Sequence, residues 1–205
     1  VDDLLARRLH GARRILEVGA GTGFHLAAVL DRLGAPAQGL ATDISPAAVR
    51  RAAVAHPRMS AVVADTWQQI PLRDGQVDAI MCFFAPRNRA EFARVLHDGG
   101  TLVVVTPMAD HLMQLRDLTR MISVAPHKQS TLLASLSGSF EPVARDHIRR
   151  TVTLEPDLAA DVVAMGPSAH HAAAAHLDDS VDVTVALEVT TLHRTASHAA
   201  MESDG

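Results

Sequence analysis

The chain has 205 residues, of which 48% are hydrophobic and 20% charged, and its formal net charge is −4 at pH 7. These values are typical of one globular domain with a full core, and the negative charge does not indicate a nucleic-acid binder. Cys82 is the only cysteine, which excludes an internal disulfide and a cysteine-based zinc site and suits a reducing cytoplasm. No segment has the length of a membrane span and no signal-peptide pattern opens the chain, so we expect a cytoplasmic protein without a membrane partner.

Apolar segments of strand and helix type alternate along the chain and predict an α/β fold. The predicted helices cover Val1–His10, His25–Leu33, Pro46–Ala55, Ala90–Leu96, His111–Thr119, Gln129–Leu136 and Pro156–Met165. The predicted strands cover Ile15–Val18, Gly39–Ile44, Met59–Ala64, Val77–Phe84, Thr101–Thr106, Phe140–Leu154 and Val181–His193. We expect one domain over residues 1–194, followed by a disordered tail over 195–205.

A glycine-rich turn, Gly19-Ala20-Gly21-Thr22-Gly23, directly follows the first strand. Only a backbone without Cβ turns this tightly and still contacts a ligand. A dinucleotide fingerprint reads G-x-G-x-x-G; here the third glycine comes one residue early and Phe24 occupies the dinucleotide position. With Glu17 the turn reads E-x-G-x-G-x-G, which resembles the first motif of class I S-adenosylmethionine (SAM) methyltransferases. A dinucleotide site and a glycine turn of another α/β protein remain alternatives.

Acidic residues at the ends of the next two strands favour the methyltransferase interpretation. Asp43 lies 20 residues past Gly23, where a carboxylate suits the ribose hydroxyls of a nucleoside. Asp65 follows the third strand, where methyltransferases bind the adenine amino group. The predicted cofactor residues are therefore Glu17, Gly19, Gly21, Thr22, Gly23, Asp43, Ile44, Asp65 and Thr66. The expected fold is a class I SAM-dependent methyltransferase (Rossmann-like) with a mostly parallel seven-stranded sheet and helices on both faces.

Four further segments carry a more specific resemblance. They are Phe84-Ala85-Pro86-Arg87-Asn88, Glu91–Leu96, Val105-Thr106-Pro107 with His111-Leu112, and Val163–Ser168 with its Met165-Gly166-Pro167-Ser168. Together they resemble the 23S rRNA (guanine-N1)-methyltransferases, most closely the actinobacterial branch that confers resistance to tylosin-type macrolides. The resemblance runs through roughly residues 3–194.

The resemblance implies methyl transfer from SAM to N1 of a guanine in 23S rRNA. It implies cofactor contacts from the loop at Gly21-Thr22 and from His111. Substrate contacts are expected from Phe84, Pro86 and Arg87, with Phe83 or Phe84 stacking on a splayed-out base and Arg87 contacting phosphate or the guanine edge. No catalytic base is identified, since Asp110 and Glu91 are candidates only by location.

The chain also departs from the family. Family members begin with a zinc-binding domain that has no counterpart here, which implies a truncated form or a stripped relative. The usual Trp after the Met-Gly-Pro-Ser segment is replaced by Ala169-His170-His171. His170, His171 and His176 lack the i, i+4 spacing of a ligand pair, so we expect no metal. A small-molecule SAM methyltransferase and a SAM-binding remnant without turnover remain alternative functions, and the oligomeric state is left open.

Overall fold

The computed structural model describes residues 1–119, 128–165 and 179–196. Within these ranges the elements are α1 (Asp2–Arg8), β1 (Arg14–Val18), α2 (Phe24–Leu33), β2 (Gln38–Asp43), α3 (Pro46–Ala55), β3 (Met59–Val63), β4 (Val77–Phe83), α4 (Arg89–Val95), β5 (Leu96–Pro107), α5 (Met113–Thr119), α6 (Lys128–Leu136), β6 (Phe140–Leu154), α7 (Pro156–Met165) and β7 (Val181–Arg194). Every helix and strand predicted from the sequence is present. Among the described residues, no helix has the length and apolarity to cross a membrane.

The seven strands form one sheet in the order β3-β2-β1-β4-β5-β7-β6. The pairs β1–β2, β1–β4, β2–β3 and β4–β5 are parallel. From β1 the chain runs outward to β2 and β3, then returns to β4 and continues to β5 on the other side. Because parallel crossovers are right-handed, this reversal places α2 and α3 on one face and α4 on the opposite face. The predicted seven-stranded, mostly parallel sheet with helices on both faces is therefore confirmed.

Capping residues fix where the helices near the glycine loop begin and end. Ser45 precedes α3, its side chain accepts a hydrogen bond from the Ala48 N–H at 3.3 Å, and Pro46 occupies the first helical position. Both residues suit these positions, because serine accepts from free helix N–H groups and proline needs no donor there. Asn88 caps α4 in the same way through the Glu91 N–H. The helix α2 ends at Gly34, whose φ is +69°.

The guanidinium of Arg58 holds the carboxyl end of α2. It donates to the carbonyl of Leu30 in the last turn and to the carbonyls of Gly34 and Ala37 beyond it. The last carbonyls of a helix have no partner within the helix. Arg58 therefore supplies donors from the start of β3 to the end of α2.

The single cysteine lies inside the sheet. Cys82 is 1% exposed on the central strand β4, and burial raises the pKa of its thiol to about 12. Its Sγ donates to the carbonyls of Ala85 and Pro86 at 3.5 and 3.6 Å. The thiol thus stays protonated at neutral pH and supports the loop that follows β4.

Most predicted boundaries shift by one or two residues, and two of the differences are set by contacts with distant parts of the chain. The fifth strand was expected to start at Thr101 after a glycine break, but β5 begins at Leu96 because Leu96 pairs with Val77 on β4. The fifth helix was expected to start at His111, but α5 begins at Met113. Leu112 has a φ of +52° and its N–H donates to the Thr184 carbonyl, so the helix starts only after it.

The chain divides into two compact units. The first comprises Val1–Val105, Leu133–Arg145 and the chain from Thr190, and the second comprises Thr106–Leu132 and Asp146–Val189. The second unit has a core of its own, formed by Leu115, Leu154, Ala159, Val163 and Val183. The glycine loop and the acids after β2 and β3 belong to the first unit.

Candidate cofactor and acceptor site

Three neighbouring strands end at the same height on one edge of the sheet. Val18 on β1 lies opposite Thr42 on β2 and opposite Cys82 on β4. The glycine loop, Asp43 and Phe83 therefore leave the sheet side by side. This edge lies where the strand order reverses, which is where open α/β sheets bind ligands.

The three glycines of the loop share one conformation but have different surroundings. Gly19, Gly21 and Gly23 have φ values of +63°, +55° and +76°. A Cβ at Gly19 would lie 2.5 Å from the Ala85 Cβ, and one at Gly23 would lie 2.7 Å from the Met59 Cε. A Cβ at Gly21 would meet no atom within 4 Å. Gly19 and Gly23 thus allow close packing inside the protein, whereas Gly21 borders open space where a ligand can approach.

Asp43 fixes the loop to the end of β2. Its Oδ2 accepts the Gly21 N–H at 2.8 Å and its Oδ1 accepts the Ser45 N–H at 2.8 Å. A carboxylate can accept about four hydrogen bonds, so the half-buried Asp43 retains capacity for the hydroxyls of a ligand. The remaining acceptor capacity of Asp43 and the open space beside Gly21 suit the predicted contact with the nucleoside part of SAM.

Glu17 lies inside the fold, directly beneath the loop. It is 1% exposed, and its Oε2 accepts the Leu26 N–H at 3.2 Å in the first turn of α2. The residue before α2 is Gly23, which has no side chain for this purpose. Burial raises the pKa of Glu17 to about 8, so the carboxyl is largely protonated at neutral pH. Its predicted role in cofactor binding is thus accompanied by a structural role at the start of α2.

The remaining predicted residues of this edge differ in exposure. Ile44 is 71% exposed and Thr22 is also exposed. Asp65 lies in the turn after β3, where its Oδ1 accepts the Trp67 N–H at 2.9 Å, and Thr66 is buried. All of them follow the carboxyl ends of β1, β2 or β3, as predicted.

The predicted acceptor residues lie next to the glycine loop. Phe84 has a φ of +51° and is 53% exposed, and the following Ala85 packs against Gly19. Pro86 is exposed and Arg87 half-buried. The structure therefore brings the loop after β4 beside the loop after β1, with the Phe84 ring presented to solvent.

His111 belongs to the second unit and is described there. Its Nδ1 accepts the Ala186 N–H at 3.2 Å, which leaves the ring proton on Nε2 in the neutral form. Burial, together with the nearby Arg116, lowers the pKa of His111. The histidine is therefore a neutral donor, and its contact with the cofactor stays a prediction.

The two acids considered as bases are held in ion pairs. Glu91 bonds Arg94 at 2.7 Å and accepts the Ile70 N–H, which lowers the pKa of its carboxyl. Asp110 pairs with Arg149. The Arg94 partner favours the ionised form of Glu91, so Glu91 is a weak proton acceptor.

Sequence reasoning missed His25, the second residue of α2. Its Nδ1 donates to the Asp2 Oδ1 at 2.9 Å, and its ring stacks on Phe83 with centroids 3.9 Å apart and planes 8° apart. The only sequence signal was a histidine two residues after the glycine loop, because the pairing with Asp2 depends on how α1 packs on α2. The predicted segment Gly166–Ser168 and the histidines 170, 171 and 176 lie outside the described residues.

Comparisons with known proteins identify the type of domain. The family model for a methyltransferase domain matches residues 15–100. The 23S rRNA (guanine(748)-N(1))-methyltransferase of Streptomyces fradiae is 47% identical over 81% of this chain and 60% of its own length. A relative from Micromonospora griseorubida is 44% identical over 85% of this chain and 61% of its own length. The crystal structure of a SAM-dependent methyltransferase from Aquifex aeolicus has the same fold, with a TM-score of 0.58, 14% identity, and coverage of 94% of this chain and 88% of that chain. The chain thus spans about 60% of the length of the curated relatives it matches.

Proposed function

We propose that this chain transfers a methyl group from SAM to N1 of a guanine in 23S rRNA. It carries a methyltransferase domain with the class I SAM-dependent fold, and it is similar to 23S rRNA (guanine-N1)-methyltransferases. The observation that carries the proposal is the 47% identity to the Streptomyces fradiae enzyme, which extends over 169 residues. Such a substrate implies a cytoplasmic location and action on the ribosomal RNA of the cell. In a macrolide-sensitive host, the methylated base would give resistance of the tylosin type.

The first unit supplies the groups that would hold the cofactor. Gly21 leaves room for the ligand, Asp43 has acceptor capacity for ribose hydroxyls, and Asp65 with Thr66 stands at the next strand end for the adenine. When bound, SAM supplies a methyl group on a positively charged sulfur, which is a good leaving group. The protein's task is then to align the acceptor and exclude water. Ile44 and Thr22 are exposed at this edge and would be covered by the ligand.

The acceptor guanine would lie against the loop after β4. Phe84 exposes a ring on which an unstacked base can pack, and Arg87, directly after Pro86, supplies a positive charge. Recognition of an unpaired base by an aromatic side chain is common in RNA-modifying enzymes.

The test is methylation of a 23S rRNA transcript by the purified chain. N1-methylguanine cannot pair, so reverse transcription should stop at the modified position when both chain and SAM are present. Replacement of Asp43 with alanine should weaken SAM binding in calorimetry by tenfold or more and abolish the stop, while Asp98→Ala, at an exposed ion pair with Arg194, should change neither.

Other outcomes would favour the competing functions. Tight SAM binding with transfer to small acceptors but not to RNA would favour a small-molecule methyltransferase. SAM binding with no transfer to any acceptor would indicate a binding protein without turnover. Absence of SAM binding would contradict all three.

A further inference from the structure

We propose that His25, oriented by Asp2, is the base that accepts the N1 proton of the acceptor guanine, an inference that rests on the proposed function. Guanine N1 carries a proton that must leave before or during methyl transfer, so the reaction calls for a proton acceptor near the end of β4. The two acids that location alone suggested, Glu91 and Asp110, are occupied by Arg94 and Arg149. His25 has the geometry that they lack.

The position of His25 is fixed from two sides. On one side, the Asp2 carboxylate of α1 accepts the Nδ1–H at 2.9 Å. On the other, the Phe83 ring lies parallel to the imidazole at 3.9 Å. Phe83 is the last residue of β4, and it touches Phe84 edge to face with centroids 5.4 Å apart. The Phe83 ring therefore lies between the imidazole and the exposed ring of Phe84, on which the base is proposed to stack.

The hydrogen bond to Asp2 determines which nitrogen can act. A carboxylate only accepts, so the proton of the neutral ring lies on Nδ1 and the lone pair lies on Nε2. In the described part of the chain, Nε2 has no hydrogen-bond partner, and the side chain is 31% exposed. An aspartate that orients a histidine and stabilises its protonated form is the arrangement that makes histidine an effective base.

Two other ionisable groups lie within electrostatic range of Asp2. From β1 this is the buried Glu17, whose pKa burial raises to about 8. From α2 it is the guanidinium of Arg32, which bonds Asp3. Phe24, on the same helix, contributes an uncharged edge contact at 5.3 Å. Asp2 is thus the charged partner that bonds the imidazole.

The proposed step is balanced. The N1–H bond of guanine breaks and its proton moves to Nε2, while the N1 electron pair forms the bond to the methyl carbon. The sulfur–methyl bond breaks, and the sulfur keeps its electron pair as an uncharged thioether. The protonated His25, paired with Asp2, then releases the proton to solvent, so no further reactant is needed.

The kinetic test compares His25→Gln with the unaltered chain. Glutamine can still bond Asp2 but cannot take up a proton at neutral pH. We expect kcat for methylation of a 23S rRNA transcript to fall by about 10²- to 10⁴-fold, with KM for SAM and RNA within threefold. The deficit should shrink as pH rises toward the pKa of guanine N1, because the ionised base needs no acceptor. Added imidazole should partly restore His25→Ala.

A matched control and a measurement on the free protein complete the test. His10→Gln removes another histidine of the first unit, one exposed and outside the site, and should leave kcat unchanged. Ring nitrogen shifts in NMR should show the Nδ1–H form of His25 in the unliganded protein, and Asp2→Asn should alter those shifts and lower kcat without changing KM. Asp2 is a positioning residue in this scheme.

The outcomes separate this inference from the function on which it rests. If the unaltered chain methylates RNA but His25→Gln keeps its kcat, or loses only SAM affinity, then His25 is not the base and the proposed function stands. An Nε2–H form of His25 in the free protein would also overturn the inference. If the unaltered chain does not methylate RNA, the proposed function fails, and the role of His25 fails with it.

Discussion

Gly19 and Gly21 have the same left-handed backbone but border different space, one facing Ala85 and the other open solvent. An L-residue in this conformation costs about 1–2 kcal/mol whatever surrounds it. At Gly19 the new methyl group would also collide with Ala85, and overpacking of that kind costs about 1–3 kcal/mol more. Two identical substitutions in one loop should therefore have different consequences.

We expect Gly21→Ala to lower the free energy of unfolding by about 1–2 kcal/mol and to abolish SAM binding, because the methyl group enters the open space. Gly19→Ala should be clearly less stable than Gly21→Ala. Urea unfolding and calorimetric titration with SAM measure the two effects. Equal stability of the two variants, or normal SAM affinity in Gly21→Ala, would contradict the assignment of the open side to the ligand.

The buried Glu17 makes stability depend on pH in a defined direction. Its pKa in the folded chain, about 8, lies above the unfolded value, so the folded state holds a proton that the unfolded state has lost. Stability is therefore fully present below about pH 4 and falls as pH rises toward 8, by up to about 1.4 kcal/mol per pH unit. Above the folded pKa the loss levels off.

Glu17→Gln should remove this slope, because an amide does not titrate and still accepts the Leu26 N–H. The measurement is the free energy of unfolding by urea between pH 5 and pH 9. Asp98→Asn, a change at a carboxylate exposed on the surface, should give a profile parallel to that of the unaltered chain. A profile for Glu17→Gln that also runs parallel would show that Glu17 has an ordinary pKa.

Among the elements, α2 positions the glycine loop and His25, and side chains from β1 and from the start of β3 bond its two ends. Glu17 on β1 bonds its first turn, and Arg58 at the start of β3 bonds its last carbonyls. The helix thereby fixes the glycine loop that precedes it and His25 within it. Its position depends on these end contacts as well as on its buried face, formed by Leu26, Val29 and Leu30.

We expect Arg58→Ala to destabilise the chain by about 1.5–3 kcal/mol, since carbonyls that bonded a charged donor lose it. Thermal or urea unfolding measures the loss. Arg51→Ala, at an exposed position on α3, provides the matched control and should change stability by less than about 0.5 kcal/mol. Equal effects of the two substitutions would show that Arg58 does not hold the helix end.

The sequence predicted the elements well where side-chain chemistry is local. Ser45 and Pro46 are typical of a helix start such as that of α3, and the glycine spacing with Asp43 predicted the sheet edge at which these residues do lie together. Prediction from the sequence failed where a distant part of the backbone sets the boundary of an element. Leu96 belongs to β5 because it pairs with Val77, and α5 starts only after Leu112 because the Leu112 N–H bonds the Thr184 carbonyl. The pairing of His25 with Asp2 was unpredictable for the same reason, because it depends on the packing of two helices.

For the whole molecule, the net charge of −4 has to be reconciled with the proposed RNA substrate. Nearly all of the 19 basic side chains are arginines, with Lys128 the single lysine. Some already bond groups within the protein: Arg58 donates to backbone carbonyls, and Arg94 pairs with Glu91 and Asp74. RNA phosphates must therefore meet local clusters of the remaining arginines, which suit phosphate geometry.

Affinity for RNA should accordingly be strongly salt-dependent. With about four phosphate contacts, binding of a labelled single-stranded 23S rRNA fragment should weaken by well over tenfold between 0.05 and 0.2 M salt. Fluorescence anisotropy at several salt concentrations measures the slope, and a scrambled RNA of equal length measures its nonspecific part. An affinity that does not change with salt would argue against an RNA acceptor.

The position of Cys82 turns the chain's one thiol into a reporter of the region around the site. Thiol reagents react with the thiolate, which is the nucleophile, and this sulfur is shielded within β4 and bonded to the carbonyls of Ala85 and Pro86. Labelling at neutral pH then proceeds only through opening of the central strand and the loop after it. The labelling rate therefore measures, without any engineered probe, how often β4 and the loop after it open. A ligand that holds this loop in place should slow the labelling.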